Sequence, residues 1–256
     1  SSFLGSEKVA IYSIGFMLST YLFTILSKIS QVKIPQITQI VGAAADDKLL
    51  LEINKLYAFI CVIAMPSIVC FILLCSTFIE LWVGFDYSGS APVAIILVCA
   101  QIPGLAMQGI GSALWAKDIV KKLALIKLFI ATANILISIG LMQVLENKLV
   151  AIAAGTAITA ITETCIIIPV LARKHLQLKQ LALLKVNLAF IVQCAAMLTV
   201  VSSIWNNTIT TWIGLILSSS AVFTCLALMS FGLYKQFPSL YTISLTSGNR
   251  NNENPA

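Results

Sequence analysis

Apolar residues run through this chain in long unbroken blocks separated by short polar connections, without the strict alternation of half-buried strands. Seven blocks are long enough to cross a hydrocarbon layer of about 30 Å, which takes roughly 20 helical residues. They fall at Val9–Ile29, Leu56–Ile79, Val93–Trp115, Leu123–Leu145, Leu149–Leu171, Val186–Trp205 and Trp212–Tyr234. The short alternating blocks of a transmembrane barrel are missing. The pattern predicts an all-α fold, a polytopic transmembrane helical bundle with seven spans. Trp82, Trp115, Trp205 and Trp212 each close or open a block, where an amphipathic ring suits the headgroup layer.

Composition agrees. Of 256 residues, 59% are hydrophobic and only 10% charged, with a mean hydropathy of +0.98. A soluble domain carries about a quarter charged residues, so polar side chains are too few to cover a water-facing surface. The net charge of +6 is strung between the apolar blocks instead of gathered on one face, which argues for membrane topology and against nucleic-acid binding.

The basic residues are strongly sided. Lys28, Lys33, Lys48 and Lys55 flank the first connection, Lys117, Lys121, Lys122 and Lys127 the third, and Arg173, Lys174, Lys179 and Lys185 the fifth. With Lys235 and Arg250 in the tail, 14 of the 16 basic residues fall on one side, and Lys8 and Lys148 on the other. Basic loops resist translocation, so the rich side is expected in the cytoplasm, with the N-terminus outside and the tail inside. The chain opens Ser-Ser-Phe-Leu-Gly with neither an initiator Met nor a basic leader. It is therefore expected to continue from an earlier helix, as a fragment.

Familiar chemistry is thin. Cys61, Cys70, Cys75, Cys99, Cys165, Cys194 and Cys225 all lie in apolar blocks without CxxC spacing, which fits neither a disulfide framework nor a zinc site. The lone His175 follows Arg173 and Lys174 and reads as a solvated loop residue. Asn206-Asn207-Thr208 is formally a glycosylation sequon, a three-residue match of little weight. No HExxH, GxSxG or phosphate-binding glycine motif occurs. No catalytic residue, metal ligand or cofactor is expected.

Polar groups inside the blocks are the informative feature. Gln101 and Gln108 lie seven apart around Pro103-Gly104, where a kink is expected. Two readings stay open for them: the lining of a polar cavity, or hydrogen-bonding glue between helices. Pro66 and Pro169 add expected bends. In the fifth block, small residues recur four apart at Ala151/Gly155, Ala153/Ala157 and Thr156/Ala160, a pattern that lets backbones approach closely. Glu163, eight residues from the cytoplasmic end, lies about 12 Å deep, and Lys127 enters the preceding block from the same side at about 6 Å. The two are placed to pair, as a structural contact or one linked to protons. Between the first two blocks, Lys33–Lys55 carries Asp46, Asp47, Lys48 and Glu52 among leucines, expected as an amphipathic helix at the membrane surface.

Several segments resemble a known family. Ala10-Ile-Tyr-Ser-Ile-Gly-Phe-Met-Leu-Ser19 running on to Ile34-Pro35-Gln-Ile-Thr38 is similar to a segment of bacterial polysaccharide exporters. Those are the lipid-linked oligosaccharide (O-antigen type) flippases of the multidrug/oligosaccharidyl-lipid/polysaccharide superfamily. Leu81-Trp-Val-Gly84, Gln108-Gly-Ile-Gly…Ala116-Lys117 and Ala151-Ile-Ala-Ala-Gly-Thr-Ala-Ile-Thr159 resemble family segments in the same order. The likeness covers roughly Phe3 to Arg173. Met17 and Gln36 depart from it where relatives often carry a polar or basic residue, which Lys28 partly offsets.

The resemblance implies the second lobe of a two-lobe transporter in the bacterial inner membrane. Residues 1–172 would hold five spans, 173–234 an extra helix pair, and 235–256 a disordered cytoplasmic tail. It also implies transport of a polyprenyl-pyrophosphate-linked oligosaccharide for O-antigen, capsule or exopolysaccharide, by alternating access. The partners implied are that glycolipid, membrane lipids, an N-terminal lobe of the same protein and a polysaccharide polymerase. Candidate cavity residues are Tyr12, Ser13, Thr20, Thr24, Lys28, Gln101, Gln108, Lys127 and Glu163. A cation-coupled drug exporter of the same superfamily is the first alternative. An integral-membrane polysaccharide polymerase is the second, although the outward connections are short and poor in charge.

Overall fold

The computed structural model describes residues 5–43, 46–117, 119–204 and 211–236. Phe3, Trp205, the Asn206-Asn207-Thr208 sequon, Arg250 and the tail beyond Gln236 lie outside these residues, as do the side chains of Asp46 and Asp47.

Among the described residues ten α-helices follow one another: α1 (Ser6–Gln31), α2 (Ile34–Gly42), α3 (Asp46–Trp82), α4 (Ser90–Ala106), α5 (Gln108–Ala116), α6 (Val120–Val144), α7 (Lys148–Thr162), α8 (Ile168–Leu176), α9 (Gln180–Ile204) and α10 (Trp212–Gln236). A π-helical segment, Glu163–Ile167, joins α7 to α8, and a 3-10 turn, Phe85–Tyr87, leads into α4. No extended strand forms among the described residues. Among the described residues, six of the resulting helical runs are long and apolar enough to cross a membrane; α4 and α5, bent by 54°, pass the same test together, as a broken span or a re-entrant loop.

Spans of like direction sit side by side. Ser90 Oγ at the start of α4 donates to the Ile11 carbonyl near the start of α1 at 2.7 Å. Val93 and Leu97 pack with Leu149 and Ala153 near the start of α7. Thus α1, α4 and α7 form a parallel row. Against it, α3 packs antiparallel and carries α10 through Cys70 and Ser219. Helix α9 lies on α3, where Tyr57 Oη donates to the Val186 carbonyl at 3.0 Å and the Tyr57 and Phe190 rings meet. This arrangement gathers Lys28, Lys117, Lys127, Arg173 and Lys185 at one end of the bundle.

The small residues of the fifth block act on two faces. Ala153 faces α4, while Gly155 meets α6 so closely that a Cβ there would lie 2.9 Å from Ser138 Cα. Beside that crossing, Asn134 accepts from Ser138 Oγ at 3.1 Å and donates to Thr156 Oγ1 at 3.4 Å. Gly15 plays the same part between α1 and α4, where a Cβ would fall 2.6 Å from the Ser90 carbonyl oxygen.

Three local details differ from the sequence reading. The third span breaks at Met107, four residues beyond Pro103, because Pro103 is absorbed within α4 and its carbonyl accepts the Met107 N–H at 3.1 Å. The glycine-rich run Gln108-Gly-Ile-Gly then restarts the helix in a new direction. The connection 33–55 holds two elements rather than one surface helix. Pro35 opens α2 in its first turn, and the stretch from Asp46 belongs to α3, continuous with the second span. Lys33 and Lys55 both reach Glu52, at 3.6 and 2.9 Å, which ties the start of α2 to α3. His175 is not a loop residue. Helix α8 runs on to Leu176, since positive side chains suit a helix C-terminus, and the ring is half-buried in its last turn.

Candidate functional site

At the basic end of the bundle, α1, α4, α5, α6 and the π-segment enclose a half-open cavity of about 470 Å³. That lies within the usual range for small-ligand sites.

Its wall is built by three local devices. The first is the bent third span. Although the axis turns at Met107, Gln101 on α4 and Gln108 on α5 both line the cavity. Gln108 Oε1 is buried with no hydrogen-bond partner among the described residues. Interhelical glue would satisfy that oxygen, so Gln108 fits the cavity-lining alternative better.

The second device is the π-segment. Pro169 has no N–H to give the Cys165 carbonyl, and its ring crowds that carbonyl. The chain answers by widening its register, so the Ile168 N–H bonds to the Glu163 carbonyl five residues back. This places Glu163 on the cavity wall, where its carboxylate pairs with the Lys127 ammonium of α6. Glu163 keeps 17% of its side chain exposed, whereas Lys127 keeps 61%. Asn187, 2% exposed on α9, donates to the Thr164 carbonyl of the π-segment at 3.5 Å. It supplies one of the partners that the altered register leaves wanting.

The third device is the C-terminal end of α1. Phe23, Ser27 and Gln31, four apart, form one stripe and face the cavity. None of the expected residues of this helix lines it. Lys28 comes nearest, donating to Gln31 Oε1 at 3.0 Å. Tyr12 stacks on Phe16, Ser13 Oγ donates to the Val9 carbonyl at 2.8 Å, and Thr20 and Thr24 are exposed. Tyr12 and Ser13 lie too far along the helix axis: from Tyr12 to Phe23 is about 16 Å. Polarity alone did not locate the lining. Spacing of four from the helix end, with an aromatic among the polar residues, is the signal that finds it.

The structure thus brings Gln101, Gln108, Lys127 and Glu163 together and leaves Tyr12, Ser13, Thr20 and Thr24 apart from them. Ser112 and Thr164, not singled out from the sequence, also line the cavity, as does Trp115, expected only as a headgroup-layer aromatic. Among the described residues no group of three or more His, Cys, Asp or Glu is placed to hold a metal ion. Chemically, the arrangement offers a neutral pair of charges, amides, hydroxyls and two aromatic rings around a space open at one side. No family model, no curated protein and no solved structure matches this chain.

Proposed function

We propose that the bundle is one lobe of a carrier that moves a polyprenyl-pyrophosphate-linked oligosaccharide from the inner to the outer leaflet by alternating access. The observation that carries this reading is the half-open cavity at the basic end of the bundle, apolar over most of its wall but set with amides, hydroxyls and an ion pair. A saccharide headgroup needs a polar path through the membrane, while its lipid tail can stay in the bilayer. The ordered family resemblance supplies the substrate class, and the basic-residue asymmetry supplies the direction, with the cavity end in the cytoplasm.

Exposed polar and aromatic positions on α1, Ser13, Phe16, Thr20 and Thr24, continue roughly the sector of Phe23, Ser27 and Gln31 along the helix. In a two-lobe carrier this stripe would face the second lobe across the transport path. A cation-coupled exporter of the same superfamily would call for a free acid in the cavity. Glu163, the acid on this wall, is engaged with Lys127.

The test is made in cells lacking the gene. Lipid-linked repeat units should accumulate on the cytoplasmic face and be absent from the outer face, and restoring the gene should reverse this. Units that reach the outer face normally but stay unpolymerised would replace the transport reading with the polymerase one.

A further inference from the structure

Among the described residues the charged groups lining the cavity, Lys127 and Glu163, are bonded to each other, so their charges offset. A phosphate entering would find the Lys127 charge already offset and would bring a second anion beside the Glu163 carboxylate, 17% exposed.

Hydrogen-bond valence points the same way. Ser27 Oγ donates to the Thr24 carbonyl at 2.9 Å, Ser112 Oγ to that of Gln108 at 3.0 Å and Thr164 Oγ1 to that of Ala160 at 2.8 Å. Each hydroxyl has one proton and has spent it on its own helix, so only acceptor capacity remains. Gln108 Oε1 adds a buried acceptor with no partner among the described residues. The amides of Gln31, Gln101 and Gln108 set N–H donors beside these acceptors. The wall thus offers uncharged donors and acceptors together, which a sugar hydroxyl, donor and acceptor at once, matches. Phe23 and Trp115 add aromatic faces, electron-rich and suited to the C–H face of a sugar ring.

Resting on the transport reading above, we infer that this cavity holds the uncharged, hydroxyl-rich saccharide of the lipid-linked substrate, and that the pyrophosphate is held elsewhere in the carrier. The lobe then selects on the pattern of sugar hydroxyls and not on the feature shared by all such lipids.

Cells lacking the gene supply the probe. Their accumulated lipid-linked material is split by mild acid at the anomeric phosphate bond, which releases the free saccharide. Binding of this saccharide and of inorganic pyrophosphate to the intact detergent-solubilised protein is measured by equilibrium dialysis. The saccharide should be neutral in electrophoresis and bind saturably, with no binding of pyrophosphate. Gln108→Leu should weaken saccharide binding about tenfold, the scale expected when a buried hydrogen bond is lost. Should that variant fail to fold, Ser112→Ala removes one acceptor from the same wall and should give a smaller loss in the same direction. Pyrophosphate binding, an acidic saccharide, binding only by the intact lipid, or saccharide binding unmoved by both substitutions overturns the inference and leaves the transport reading standing. If no lipid-linked saccharide accumulates in those cells, the transport reading falls first, and this inference with it.

Discussion

The fifth span is built in two contrasting halves. Over α7, small residues let the backbone close on α4 and α6, and Gly155 leaves no room for a side chain against Ser138. Past Thr162 the same apolar span gives up its regular register, takes a polar latch from Asn187 and presents a carboxylate to a cavity. Both halves satisfy the rule that backbone groups in lipid must be bonded internally. The first does so as a plain helix, the second with help from another helix. An apolar span can thus hold a rigid support and a polar site in series, with the change marked by Pro169.

The largest effect is expected in the rigid half. Gly155→Ala puts its Cβ 2.9 Å from Ser138 Cα, and should destabilise the bundle by about 1–3 kcal/mol, as overpacked cores do. Thermal unfolding of the purified protein measures this. Gly155→Leu should reduce folded protein further, and a melt unchanged by either would mean that α6 and α7 do not cross here.

In the polar half, the two members of the ion pair should differ. Lys127→Gln strands Glu163, the more buried partner, and should cost about 2 kcal/mol, on the scale of a lone charge in a membrane. Glu163→Gln leaves an exposed ammonium that can reach water and should cost less. The double change should recover most of the loss. Equal single losses with no recovery would show that the two side chains act independently.

Asn187→Leu removes the donor to the Thr164 carbonyl, together with an Oδ1 atom that is buried without a partner among the described residues. These terms partly cancel, so the expected loss is about 1 kcal/mol or less. Its sharper readout is local: amide exchange should quicken across Glu163–Ile167 while α7 keeps its protection. Uniform exchange along the whole span would erase the contrast between its halves.

The smallest effect is expected just beyond the span, at Gln177, which ends α8 with φ of 53°. Gln177→Gly relieves a left-handed conformation that glycine adopts freely. It should raise the melting midpoint slightly, by less than about 1 kcal/mol of stability.

What the sequence disclosed follows from which forces act over short range. Among the described residues six of the seven apolar blocks fall on single membrane-length helical runs, and the seventh on the bent pair α4 and α5, because the length of a span is fixed by its hydrophobic content. The contact between Glu163 and Lys127 followed from helical rise alone, two depths measured from the same end. The α1 residues that line this cavity, Phe23, Ser27 and Gln31, were not among those the sequence offered. Tyr12 and Lys28 are polar, but whether a polar residue meets a cavity depends on the angle and depth at which neighbouring helices pack. The break at Met107 was misplaced for a related reason. Proline marks where a helix is weakened, and the axis bends where the surrounding packing lets it, here beside Gly109 pressed on Leu56. The π-register at Glu163–Ile167 left only Pro169 as a trace in the sequence.

The most direct test of the account is translocation by the intact protein in sealed lipid vesicles containing the lipid-linked saccharide recovered from cells lacking the gene. Periodate, which does not cross the bilayer, oxidises sugar diols on the outer surface alone. With the protein present, the oxidised fraction should rise beyond the outer-leaflet share toward completion, and Gln108→Leu should slow that rise. An oxidised fraction that stays at the outer-leaflet share, with correctly inserted and folded protein in the vesicles, would contradict transport of this substrate.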